Sequence, residues 1–149
     1  MMASEENKAL VRRYFEEIFN NHNMAVIDEI FSSDYVNHEK YDPDREEIIR
    51  GQKGLKDAVS AFLSALPDLQ CAIDDAVAEG DKVVTRWTTR GTHKGSVMGI
   101  APTNKQITVT GITIDRIADG RIVETWTTWD LMSLYQQLGV LPSDFKAAA

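Results

Sequence analysis

The chain has one cysteine, Cys71, four prolines and three histidines in 149 residues. A single thiol cannot build an internal disulfide framework, and such sparing cysteine usage is what a reducing compartment predicts. No apolar run is long enough to span a membrane. The opening MMASEENKALVRR lacks the apolar stretch of a signal peptide, so a cytoplasmic location is expected. Basic residues are in the minority, 16 Lys and Arg against 23 Asp and Glu, for a formal charge of −7 and a pI near 4.9. A surface of that sign does not suit nucleic-acid phosphates. The histidines show no His-x-His or His-Glu-x-x-His spacing, so no metal site is expected. Glycine-rich phosphate loops are absent, and Gly95-Ser96-Val97-Met98-Gly99 has the wrong spacing for a nucleophile elbow. Elimination leaves cofactor-free proton transfer for any chemistry.

What is present is an ordinary folded composition, 43% apolar and 26% charged, sized for a single domain over residues 1–149. Ser4 with Glu5 and Glu6 reads as a helix start. Leu10, Val11, Tyr14, Phe15, Ile18 and Phe19 then recur at helical spacing. Asn23 is placed to cap a second, shorter helix from Met24 to Phe31. The piece from Asp34 to His38 reads as extended, with Tyr35 and Asn37 on one side and Val36 and His38 on the other. Glu39 to Arg50, with Pro43, reads as a loop. A third helix is expected from Gln52 to Leu66, with Phe62 on its apolar face, ending before Pro67. The period then changes to two, predicting four strands over 69–78, 82–93, 105–118 and 121–131. A short helix, 131–138, stops at Gly139, and the tail FKAAA is expected to fray. Helices followed by an antiparallel sheet make an α+β fold, and strands this long must curl.

The densest stretch is Gly120 to Asp130, GRIVETWTTWD. If Asp119-Gly120 is a two-residue hairpin loop, one face pairs Ile117 with Ile122, Asp115 with Glu124, Thr113 with Trp126, Gly111 with Thr128 and Val109 with Asp130. That face would offer an aromatic floor at Trp126, space at Gly111 and an acid at the rim. Desolvation among aromatics raises a carboxyl from its usual ~3.9, and such an acid can exchange protons near neutrality. The competing role for Asp130 is to cap the helix at Leu131. His38 and His93 are candidate acid/base groups or structural hydrogen-bonding residues. Tyr14 lies on the first apolar stripe with a hydroxyl that could reach a cavity. Trp87 and Arg86 point to opposite faces of their strand, so at most one of them lines it. Neither hairpin face is cleanly polar, which favours a partner subunit covering the sheet.

The run RWTTRGTHKGSVMGIAPTNKQITVTG, followed by DGRIVETWTTWDLMSLYQQLG, resembles the SnoaL-like polyketide cyclases of the NTF2-like superfamily. The resemblance extends through Tyr14-Phe15, Tyr35-Val36-Asn37-His38 and Gly51 to Gly54. It implies a cone-shaped α+β barrel, usually dimeric or tetrameric through the sheet, that closes a polyketide ring by an intramolecular aldol reaction without a cofactor. Asp130 matches the family's acid/base Asp. His38, Tyr14 and Asn37 are then candidate hydrogen-bond donors. Phe62, Trp87, Trp126 and Trp129 are candidate walls for a small apolar carbonyl compound. A non-catalytic binding or dimerisation module, an isomerase and an epoxide hydrolase are the alternatives. The last needs an Asp-Arg-Asp set, and Arg116 is expected to point away from Asp115.

Overall fold

The structure, a computed structural model, describes residues 2–39 and 48–142. The expected loop around Pro43 falls mostly outside the described residues, and so does the FKAAA tail. Helix α1 (Met2–Arg13) runs directly into a π-helical segment, Tyr14–Asn20. Ser4 lies inside α1 rather than capping it, because the helix begins upstream at Met2. Helix α2 (Val26–Ile30) is capped by Ala25, not Asn23. Asn23 contributes its carbonyl to the preceding turn, accepting from Val26 N–H at 3.3 Å. Strand β1 (Phe31–Asn37) takes over at once, and its alternation buries Tyr35 and Asn37 as expected.

Strand β2 (Ile49–Arg50) and helix α3 (Gly51–Ala65) follow, then β3 (Gln70–Glu79), β4 (Lys82–Thr92), β5 (Gln106–Ala118), β6 (Arg121–Trp129) and helix α4 (Leu131–Gln137). The sheet has six strands in the order β2-β1-β6-β5-β4-β3, where the periodicity predicted four. The additions lie at one edge: β1 runs parallel to β6, and β2 pairs antiparallel with β1. A parallel neighbour needs a long crossover, and here more than half of the chain, residues 38–120, intervenes. Helices α1, α2 and α3 lie on the sheet's inner face. Val11, Phe15, Ile18, Ile27, Ile30, Phe31, Leu55 and Ile122 are almost wholly buried between the layers. Among the described residues no helix is long and apolar enough to cross a membrane.

The β5–β6 hairpin departs from its simple register, and the departure decides the site. Asp119 and Gly120 both have positive φ (52° and 72°), as a two-residue type I′ turn requires. Ala118 pairs with Arg121 and Ile117 with Ile122, but Arg116 then pairs with Glu124. Val123 is an extra residue, a β-bulge. One inserted residue turns every later side chain of β6 to the other face. Thr125, Thr127 and Trp129 therefore face inward, while Glu124, Trp126 and Thr128 face outward. The expected wall of Trp126 and Asp130 opposite Gly111 is not formed. Gly111 pairs with Trp129, and Asp115 with Thr125.

Candidate active site

The helices and the inner face of the sheet enclose a cavity of about 870 Å³, mouth included. The π segment supplies Tyr14, Phe15 and Phe19. In an α-helix residues five apart diverge by about 140°. The wider π turn instead brings Tyr14 and Phe19 together, with ring centroids 4.9 Å apart. Its end is pinned to β3 by Asn20, whose Nδ2 donates to Cys71 O (3.0 Å) and whose Oδ1 accepts from Cys71 N–H (2.7 Å). Phe62 of α3, Leu66 at its C-terminal cap and Leu134 of α4 close other sides. Phe62 meets Trp129 edge to face at 6.0 Å.

Trp87 lies on this wall because its strand neighbour is glycine. A Cβ on Gly111 would stand 2.3 Å from the indole ring, so only a residue without a side chain lets the indole lie flat there. Trp87 Nε1 donates to Thr113 Oγ1 at 2.9 Å, and Thr113 Oγ1 lies 3.1 Å from Thr127 Oγ1. The two hydroxyls hold two hydrogens, and the bond between them uses one. The second O–H is left to the cavity that both residues line. A neutral donor held against aromatic walls, with no need to reorganise, is the arrangement that stabilises charge developing on a substrate oxygen.

The titratable groups separate into those inside and those outside. Glu39 lines the cavity, half-buried, and its backbone N–H donates to Asn37 Oδ1 at 2.8 Å. Asn37 is buried and also lines it. Burial pushes the Cys71 thiol up to about 11, so it stays protonated. Next to the lining residue Thr125, Asp115 is wholly buried, and burial pushes it up to about 7. Thr125 Oγ1 donates to its Oδ1 at 2.6 Å, and this bond favours the charged form only in part. The phenol of Tyr35, also buried, is held well above its usual range, chiefly by burial and then by Asp115.

Of the residues singled out from the sequence, Tyr14, Asn37, Phe62, Trp87 and Trp129 line the cavity. Trp126, Asp130 and His38 do not. The bulge at Val123 turns Trp126 outward, where it stacks on His38 with centroids 5.1 Å apart. His38 Nε2 is 2.7 Å from Glu124 Oε2, and Glu124 also accepts from Arg116 Nε at 2.9 Å. These two partners hold Glu124 below the usual carboxylate range. Asp130 is exposed and caps α4, with its Oδ1 accepting from Ser133 N–H at 3.0 Å. Asp130 is not among the residues that line the cavity. The carboxyls on or beside its wall are Glu39, which lines it, and Asp115, bonded to the lining residue Thr125. Sequence reasoning weighed Asp115 only as the second acid of an epoxide hydrolase, although Ile107, Val109, Thr113 and Ile117 alternate in phase with it. An acid in step with an apolar face was the available signal. Buried His93 accepts from Thr103 N–H at Nδ1 (3.2 Å) and so pins the β4–β5 loop. Among the described residues no three His, Cys, Asp or Glu side chains converge to hold a metal ion.

The family model for SnoaL-like polyketide cyclases matches residues 9–138. The chain belongs to the SnoaL-like polyketide cyclase family. Solved structures agree. TsrD of Streptomyces laurentii is 30% identical, with a TM-score of 0.81 over 92% of this chain and 97% of that one. IdmH of Streptomyces antibioticus, a candidate polyketide cyclase, is 30% identical with a TM-score of 0.77, over 89% and 98% of the two chains. AclR of Streptomyces galilaeus, a candidate hydroxylase, is also 30% identical, with a TM-score of 0.80 over 96% and 87%. No curated protein matches. The neighbours thus carry more than one suggested chemistry, and this SnoaL-like chain has to be read from its own site.

Proposed function

We propose that this SnoaL-like chain closes a ring in an apolar, polyketide-like carbonyl compound by cofactor-free acid–base catalysis, through an intramolecular aldol reaction. The observation that carries the proposal is the make-up of the cavity wall. Aromatic and aliphatic side chains surround a spare hydroxyl donor at Thr113 and Thr127, and Glu39 is the one carboxylate among the described lining residues. Glu39 takes a proton from a carbon beside the substrate carbonyl, and the Thr113–Thr127 donor bonds the enolate oxygen. The enolate carbon attacks a second carbonyl of the same molecule. The alkoxide formed takes up a proton and Glu39 gives up the one it removed, so the ring closes with no net gain or loss of protons. Folding the substrate against Trp87, Trp129 and Phe62 supplies orientation, which removes much of the entropic cost of bringing the two ends together.

An epoxide hydrolase of the same fold receives no support, because Arg116 faces outward and is engaged by Glu124. The test is turnover of an aldol-competent tricyclic ester by wild type and by Glu39→Gln. Ring closure that drops by about a hundredfold or more in the variant, in line with the usual weight of a general base, supports the assignment. Tight binding without conversion by wild type would make the chain a carrier instead.

A further inference from the structure

The inner face of β5 holds a carboxyl that the steps above leave unused. Asp115 is completely buried, and its Oδ2 has no partner among the described residues. The Thr85 hydroxyl is likewise buried and unpartnered, on β4, where the nearby Val83 pairs with Asp115. An unsatisfied carboxyl oxygen inside a protein costs free energy unless the structure uses it. Thr125 links this carboxyl to the cavity. Its hydroxyl donates to Asp115 Oδ1 at 2.6 Å, and its side chain lines the cavity.

We propose that Asp115 and Thr125 form a proton-delivery pair, in which protonated Asp115 acts through the Thr125 hydroxyl to protonate the oxyanion formed on a bound carbonyl compound. The proposal rests on the ring-closure reading and supplies the acid it lacks. With Asp115 ionised, the Thr125 hydrogen is committed to Oδ1. With Asp115 protonated, its O–H donates to Thr125 Oγ1 and frees the Thr125 hydrogen for the substrate oxygen. In the transfer, the Thr125 O–H breaks as the substrate O–H forms. The Asp115 proton passes to Thr125 Oγ1, leaving a carboxylate. After product leaves, water reprotonates Asp115 and accepts the proton held by Glu39, so both carboxyls return to their starting states.

The surroundings favour the protonated acid. The strands packed against Asp115 present neutral Val83 and Thr85 from β4, Thr125 from β6 and the titratable Tyr35 from β1, with Glu39 acting on Tyr35. Arg116, next in sequence, turns outward to Glu124. No cation among the described residues is therefore supplied to hold Asp115 ionised, and burial leaves it titrating near neutrality while Tyr35 keeps its proton.

The probe is a dinitronaphtholate, an aromatic oxyanion that stays ionised across neutral pH, with its dissociation constant followed by tryptophan fluorescence from about pH 6 to 8.5. Wild type is expected to lose about tenfold in affinity per pH unit once Asp115 ionises, and Asp115→Asn to bind with no such slope. Thr125→Val is expected to lose the low-pH advantage and Thr125→Ser to keep it, which decides the matter if Asp115→Asn does not fold. An unchanged slope in Asp115→Asn, or an unchanged low-pH advantage in Thr125→Val, overturns the proton-delivery pair and leaves the ring-closure reading standing. No binding of the probe to wild type at any pH overturns both.

Discussion

Asp115→Asn should change how the stability of the fold depends on pH. Burial raises this carboxyl from 3.8 to about 7, so the folded protein binds a proton that the unfolded chain releases. The contribution is fully present below the unfolded value and is lost as pH rises through the folded one. At about 1.4 kcal/mol per unit, the shift corresponds to a loss on the order of 4 kcal/mol between acid and mildly alkaline solution. Most of this falls between about pH 4 and 7, and the curve flattens above. The substituted amide carries no charge at any pH, keeps the shape and can still bond Thr125, so the slope should vanish. Urea denaturation of both proteins at half-unit steps from about pH 5.5 to 8.5 measures it. The variant should gain on wild type by roughly 2 kcal/mol between about pH 5.5 and 7. Parallel curves would mean that Asp115 is ionised throughout and that burial does not control it.

Three further outcomes follow from the same geometry. Gly111→Ala places a methyl group against the Trp87 ring, and overpacking of this kind costs about 1–3 kcal/mol. Thermal denaturation should register the loss, along with a change in near-ultraviolet circular dichroism as the indole moves. Asp130→Ala removes the α4 cap at about 1 kcal/mol and should leave turnover close to that of wild type, whereas a large loss of turnover would return Asp130 to the chemistry. Ile112 and Trp126 are exposed on the outer face of the sheet, the surface that the mixed hairpin faces lead us to expect a partner copy to cover. Light scattering should therefore show Ile112→Glu shifted toward the monomer mass.

Much of this was legible in the residues. Helix α3 and strands β3 to β6 fall within about two residues of their periodicity, because Pro67, Gly80, Gly120 and Gly139 punctuate the chain. The inward turn of Tyr35 and Asn37 was legible too, once that segment was read as extended. The bulge at Val123 was not, since both faces of the hairpin mix apolar and polar residues and alternation gives no preference for either register. That single residue moved Trp126 and Asp130 out of the cavity and placed Thr125, Thr127 and Trp129 in it. The parallel pairing of β1 with β6 brings Tyr35 beside Thr125 and Asp115 from a distant part of the chain. No local pattern encodes such an encounter. The π segment was likewise hidden, because Tyr14, Phe15, Ile18 and Phe19 satisfy an α-helical stripe equally well.

The most direct test of the cone as a ring-closing site is to incubate the protein with an aldol-competent tricyclic ester and separate the mixture by liquid chromatography with mass detection. An intramolecular aldol reaction neither adds nor removes atoms. The chain should therefore generate a product of unchanged mass and altered retention, at a rate that collapses in Glu39→Gln. An ester that binds in the cavity and returns unaltered after many expected turnovers would contradict the proposed function.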